Sequence, residues 1–243
     1  MPKANKHNVL VVAAHPDDEV LGCGGTIAKH TFNNDRVRIL CMADGVTSRY
    51  YNPGNKISRK NELKKYNKEI SRRKSEMLRA VKILGVKADD VRFGDFPDQR
   101  LDSIPLLDII KFIEAYKKKY HPDIIYTHFW GDLNKDHRVT FEAVITAFRS
   151  FGKKSREKIY CFEVPESTGF GVPERENKFD PDHFVDIINT FALKIEALKI
   201  YESEKRVFPH PRSVKSIENH ASKRGKGMKR RYAEAFVLFK YAK

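Results

Sequence analysis

The apolar run Val9 to Ala14 breaks off into His15-Pro16-Asp17-Asp18-Glu19, and this junction constrains the chain more than any other feature. Consecutive β-branched and apolar residues read as a strand buried on both faces of a parallel sheet. Ligands of such sheets bind beyond the carboxyl ends of the strands. An imidazole and two adjacent carboxylates at that edge offer nitrogen and oxygen donors that suit zinc. A catalytic zinc takes three protein ligands and keeps one position for water, so a further ligand must come from elsewhere in the chain.

Gly131-Asp132-Leu133-Asn134-Lys135-Asp136-His137-Arg138 supplies the candidate. It follows a second apolar strand candidate, Ile124 to Thr127, and opens a helical pattern through Val139, Ala143, Val144 and Ala147. Both clusters therefore sit after strands and before helices, at one edge of one sheet. Read singly, Asp17 and Asp18 are also what a helix N-terminus favours, and His137 could be a solvated histidine at a helix start. Their coincidence at equivalent strand ends carries the metal reading. His15 and Asp18 lie three residues apart and share one face at a helix start. Asp17 points elsewhere and could reach a water beside the metal, although spacing alone leaves the opposite assignment of the two aspartates open.

Strand candidates are Val9 to Ala14, Val37 to Met42, Val91 to Phe93, Ile124 to Thr127 and Ile159 to Phe162. Helical patterns lie near Val20 to Phe32, Ser58 to Leu84, Ile104 to Lys119 and His137 to Ser150. This alternation predicts an α/β fold: a Rossmann-like, mainly parallel sheet flanked by helices. After Cys161 the pattern changes to a loop rich in Pro, Gly and Glu over Pro165 to Pro173. A helix from about Pro181 to Tyr201 follows, and Tyr232 to Phe239 alternates weakly as a late strand. The chain reads as one domain over residues 1–243, with a core of about 1–163 and a C-terminal α/β extension of about 164–243. Gly22-Cys23-Gly24-Gly25 superficially suggests dinucleotide binding, but Ile27 stands where the third glycine belongs. These glycines are better read as letting the helix approach the sheet or the metal ligands closely.

Ala14-His15-Pro16-Asp17-Asp18-Glu19, with Asp136-His137 far downstream, resembles the PIG-L (LmbE-like) zinc-dependent N-deacetylases. Supporting blocks are Arg73 to Glu76 before Leu84-Gly85-Val86, then Phe96-Pro97-Asp98, and Thr127-His128 with Gly131 to Asn134. Phe208 to Ser213 and Tyr232 to Phe236 resemble a bacterial or archaeal branch. The resemblance implies His15, Asp18 and His137 as ligands of one zinc ion per chain, with Asp17 as general base. It points to Arg73 and Asp98 for substrate contacts, with His210 a further candidate there. Many relatives carry a histidine three residues before the last metal histidine; here that position is Asn134. An amide can donate to an oxyanion but cannot shuttle protons near neutral pH. Acid assistance then falls to Asp17 or to a histidine from elsewhere, with His128 and His210 as candidates that are equally readable as packed or surface residues. Asp136 reads either as a residue orienting a neighbour by hydrogen bonding or as a helix cap.

Cys23, Cys41 and Cys161 are odd in number and scattered, without Cys-x-x-Cys spacing, which argues against a disulfide framework or zinc knuckle. No apolar stretch approaches a bilayer span, and the run at Val9 meets His15 to Glu19 without a cleavage site. A cytoplasmic protein is the expectation. The net charge of +15 concentrates in Lys56 to Lys74 and Lys205 to Arg231. A solvated helix face is the default reading of such runs. The sharper one is an electropositive rim for an anionic substrate, and a third is nonspecific nucleic-acid contact. No motif for reading bases is present.

The expectation that follows is a metal-dependent hydrolase removing an N-acyl group from an N-acetylglucosamine-like amino sugar or its conjugate. A related amidase on a non-sugar N-acyl compound is the alternative. A basic nucleic-acid-binding protein with a vestigial metal site is the alternative from another class. A homo-oligomer is compatible with the sequence, which says nothing further about assembly.

Overall fold

In the computed structural model, residues 6–50, 59–149, 157–171 and 178–240 are described, without the side chains of residues 50, 59–65 and 240. Seven strands form one sheet: β1 (Asn8–Ala13), β2 (Arg36–Ala43), β3 (Val91–Phe96), β4 (Ile124–His128), β5 (Lys158–Phe162), β6 (His183–Asp186) and β7 (Ala233–Lys240). Their order is β3-β2-β1-β4-β5-β7-β6. The pairings from β3 through β5 are all parallel. β7 runs antiparallel to both β5 and β6.

Burial on both faces explains the continuous apolar runs. Successive residues of β1 enter different cores: Val9 and Val11 join one cluster, Leu10 and Val12 the other. β2 does the same, with Ile39 and Cys41 against Leu40 and Met42. The period of two thus persists beneath a sequence that shows no polar alternation. One face is covered by α1 (Asp18–Phe32), α2 (Arg59–Ile83), α5 (Phe191–Ile200) and α6 (Val214–Lys226). The other is covered by α3 (Leu106–Tyr120) and α4 (Lys135–Ala147). Each fully buried Val or Leu contributes about 1.5–3 kcal/mol against the entropy of ordering it.

The α/β reading holds, with local differences. The stretch expected to be one helix from Pro181 to Tyr201 is strand β6 followed by α5. His183-Phe184-Val185 is a short aromatic and β-branched segment, and β7 offers it a partner edge, from Asp186↔Ala233 to His183↔Phe236. Helix α6 was not expected: only Ile217 and Ala221 mark its apolar face, although Ser213 caps it by accepting from the Ser216 N–H at 3.2 Å. The expected helix starts at Ser58 and ends at Ser150 lie outside the described residues, as do Lys56 and Pro173. Within α2, Lys68 and Arg72 face outward while Arg73, Glu76, Met77 and Ala80 face inward.

Helix α1 bends at Cys23, whose backbone (φ −145, ψ 24) breaks the helical ladder. Gly22 is required at this bend, because a Cβ there would lie 2.3 Å from the Phe162 ring of β5. The bend leaves backbone groups without helical partners, and two side chains from distant elements satisfy them. Glu234 on β7 accepts from the N–H groups of Gly25 (3.0 Å) and Thr26 (2.7 Å). Lys194 on α5 donates to the Leu21 carbonyl at 2.9 Å and pairs with Glu234 at 2.6 Å. Both side chains are at least 95% buried, at 5% and 4% exposure. Truncating one partner of such a pair strands the other charge. Glu234→Ala should therefore lower unfolding stability by about 3–5 kcal/mol in a urea titration; an unchanged midpoint would show that the bend does not depend on this contact.

Candidate active site

The strand order reverses at β1, which has β2 on one side and β4 on the other, so the crevice beyond β1 and β4 is the switch point of the sheet. His15 to Asp18 leave β1 here, and Asp132 to His137 follow β4. The turn between β1 and α1 is tight enough to place Asp17 at φ 116, a conformation that Asp tolerates better than most residues. Three contacts hold it. The Asp17 N–H donates to Glu19 Oε2 at 3.0 Å. Buried Arg73 donates to the Pro16 carbonyl. Gly45, at φ 68, lets Pro16 pack against it, since a Cβ there would lie 2.9 Å from Pro16 Cδ.

His15, Asp18 and His137 are all buried and present ligand atoms within 4.8 Å of one another. The two ring centroids are 5.3 Å apart. Asp18 Oδ2 lies 3.2 Å from His15 Nδ1 and 3.3 Å from His137 Nε2. The far nitrogen of each ring meets another carboxylate. His15 Nε2 lies 3.0 Å from Asp136 and 3.1 Å from Asp98. His137 Nδ1 lies 3.2 Å from Asp132. Asp136 is itself fixed by the N–H groups of Gln99 (2.8 Å) and Leu101 (3.0 Å). Asp132 is fixed by Asn134 N, Ser167 and Thr168. Carboxylates behind ligand imidazoles set the ring orientation and raise the basicity of the coordinating nitrogen.

The electrostatics agree with a cation. Burial pushes the Asp18 carboxyl up, but facing His137 and His15 outweigh it and hold it well below the usual range. Burial pushes His137 down, yet Asp18 and Asp132 raise it to about 9. His15 is likewise raised against its burial by Asp136, Asp18 and Asp98. The carboxylates thus draw positive charge onto both rings. A divalent ion with two neutral imidazoles carries the same charge as two imidazolium groups. Two nitrogens and one carboxylate are also a donor set that zinc accepts, so the residues fit such an ion.

The remaining candidates are placed as follows. Asn134 caps α4, its side-chain oxygen accepting from the Asp136 N–H at 2.9 Å, which leaves its NH2 group free of the capping contact. The cap alternative for Asp136 is therefore filled by Asn134. His128 is fully buried, accepts from the Ala14 N–H at 2.8 Å through Nε2, and stacks on His137 at 3.9 Å. Burial and the neighbouring His137 hold its ring well below an ordinary imidazole, so it is a packed neutral histidine. Arg73, 2% exposed, turns toward Asp17 (3.5 Å), Glu204 (3.4 Å) and Glu76 (3.8 Å). Asp98 turns toward His15 and Ser48. Arg73 and Asp98 thus each contact other residues of the site. His210 joins none of these contacts among the described residues; its Nδ1 accepts from the Arg212 N–H at 3.1 Å and shapes that turn. Cys23 donates to the Glu19 carbonyl at 3.4 Å, and burial pushes its thiol well up, as it does for Cys41.

Sequence reasoning missed a group supplied by the C-terminal part. Arg212 Nη1 lies 3.2 Å from Asp17 and 3.0 Å from Glu204, and its guanidinium also pairs with Glu166. Tyr201 donates to Glu19. Asp17, Tyr201, Glu204 and Arg212 share the wall of a cavity of about 450 Å³. Arg212 stands in the Phe208 to Ser213 block and Asp132 directly after β4, so each carried a signal. Nothing local marks Tyr201 or Glu204.

A mainly parallel sheet with a buried two-imidazole, one-carboxylate cluster at its switch point is an α/β fold carrying a candidate metal site. The PIG-L family, described as GlcNAc-PI de-N-acetylase, matches residues 10–148, and the chain belongs to it. A probable N-acetyl-alpha-D-glucosaminyl L-malate deacetylase 2 of Bacillus anthracis is 26% identical over 203 residues, covering 82% of each chain. A 4-oxalmesaconate hydratase of Pseudomonas putida is 27% identical over 232 residues, covering 91% of this chain and 83% of its own. In fold, the chain is similar to the N,N'-diacetylchitobiose deacetylase of Pyrococcus horikoshii, with a TM-score of 0.72 and 22% identity over 97% of this chain and 84% of that one. No helix among the described residues is long and apolar enough to cross a membrane.

If Asp132 sets the His137 ring, Asp132→Asn should weaken divalent-cation binding about 10–100-fold in a chelator-competition titration. Wild-type affinity in that variant would remove Asp132 from the site.

Proposed function

We propose that the protein is a zinc-dependent N-deacetylase acting on an N-acetylglucosamine-like amino sugar or its conjugate, with one zinc per chain. The observation that carries this reading is the convergence of His15, Asp18 and His137 beside Asp17. Family membership and the deacetylase relatives support it.

A divalent cation held by His15, Asp18 and His137 would supply a Lewis acid for the amide carbonyl and lower the pKa of the water it binds. The protein's own groups do the rest. Asp17 accepts the proton of the attacking water and returns it to the departing nitrogen, so that acetate and a primary amine leave. Burial raises its carboxyl against the opposing pull of Arg212 and Arg73, which moves it toward a proton acceptor that works nearer neutrality. Arg73 and Arg212 both pair with one carboxylate oxygen, Oδ2, and hold it in place. Asp136 and Asp132 keep the two imidazoles from rotating. The Asn134 NH2 group can donate to the carbonyl oxygen as charge develops there, without transferring a proton.

The test is to incubate zinc-loaded protein with acetylated amino sugars, N-acetyl amino acids and 4-oxalmesaconate. New primary amine and acetate from the sugars alone is the expected result. Amine from N-acetyl amino acids alone would make it an amidase on other acyl compounds, and water addition to 4-oxalmesaconate alone would align it with the hydratase relative. Asp17→Asn should cut kcat on the sugar by about 10²–10⁴-fold while one zinc per chain is retained. Chelation should abolish turnover and zinc should restore it; activity in thoroughly metal-stripped protein would refute the mechanism.

A further inference from the structure

We infer that the cavity beside Asp17 is a subsite for the group attached to the amino sugar, and that it selects an apolar group ending in an anion. This assignment rests on the deacetylase reading. The cavity, of about 450 Å³, is lined by Asp17, the base that the deacetylase reading sets against the reacting amide, which places the group attached to the sugar toward it. Leu21, Leu198, Val207 and Val214 form an aliphatic wall. Sugar hydroxyls against such a wall would be left unpaired. Val207 and Val214 remain 85% and 40% exposed, apolar surface that a hydrocarbon segment would cover.

Charge separates the floor from the mouth. On the floor, the lining carboxylates Asp17 and Glu204 pair with Arg212 of the lining and with Arg49 and Arg73 outside it. The mouth adds Lys199, Lys205 and Arg206, all exposed. Lys205 reaches Glu202 only at 4.0 Å, between side chains 58% and 69% exposed. Arg206 reaches Glu204 at 3.7 Å, a carboxylate that Arg49 and Arg212 already hold. A ligand therefore meets aliphatic carbon along the wall and exposed, weakly paired cations at the rim. A carboxylate or phosphate at the end of an apolar segment satisfies both, whereas an ammonium group there is repelled.

The test uses the zinc-loaded full chain and N-acetylglucosamine carrying methyl, hexyl, 6-carboxyhexyl or 6-aminohexyl on the anomeric oxygen, each as both anomers. Amine release gives kcat/KM. The carboxyhexyl glycoside is expected to exceed the hexyl one roughly tenfold, the sum of three weak exposed pairs, with methyl and aminohexyl below hexyl. The gap should close at about 1 M salt, and in Lys205→Ala/Arg206→Ala the ratio should fall to about twofold. Turnover of all the glycosides at equal efficiency would remove the subsite and leave the deacetylase reading intact. Preference for N-hexanoyl over N-acetyl methyl glucosaminide would give the cavity to the acyl chain and overturn the assignment. Absence of turnover on every glycoside would sink the deacetylase reading and the subsite with it.

Discussion

Asp136 behind His15 and Asp132 behind His137 are the contacts on which the site depends. A free imidazole rotates about two bonds, and a cluster of donors from two strand ends would scatter without a partner on the far nitrogen. Each carboxylate is held in turn by backbone N–H groups or hydroxyls: Asp136 by Gln99 and Leu101, Asp132 by Asn134, Ser167 and Thr168. The loops after β3, β4 and β5 are therefore all recruited to orient two rings. The parallel sheet supplies the scaffold for this, since it brings the carboxyl ends of those strands to one edge.

The centre of the molecule was legible because its signals are local and dense. The run Val9 to Ala14 declares a doubly buried strand, and His15 to Glu19 declare what lies at its end. The placement of His137 was legible for the same reason, as Ile124 to Thr127 is a strand that leads to it. What failed was local and ambiguous. His183 to Asp186 is four residues long, and only its pairing with β7, about fifty residues later, makes it a strand. Arg73 read as a substrate contact on a basic helix, and nothing local announced that the inward face of α2 buries it against Asp17. Asp98 read as a sugar contact, and its pairing with His15 arises only from three-dimensional closure. Tyr201 and Glu204 have no motif around them, and their position next to Asp17 is a product of tertiary packing alone.

The C-terminal part therefore completes the site as well as the sheet. α5, the turn that carries Arg212 and strand β7 all contribute groups that touch the β1–α1 junction or the helix that follows it. The excess positive charge of the chain divides accordingly. Some of it, in Arg73 and Arg212, is consumed by buried carboxylates, and some stands in solvent at the mouth of the cavity.

The clamp of Glu234 on the bent first helix has a temporal consequence. Asp18 and the residues that Glu234 grips belong to one helix, yet more than two hundred positions separate Asp18 from that clamp. During synthesis the amino-terminal half can form its strands while the bend still lacks its anchor. The anchor on Gly25 and Thr26 closes only once β7 has paired with β5. An early helix is thus completed by a strand translated long after it.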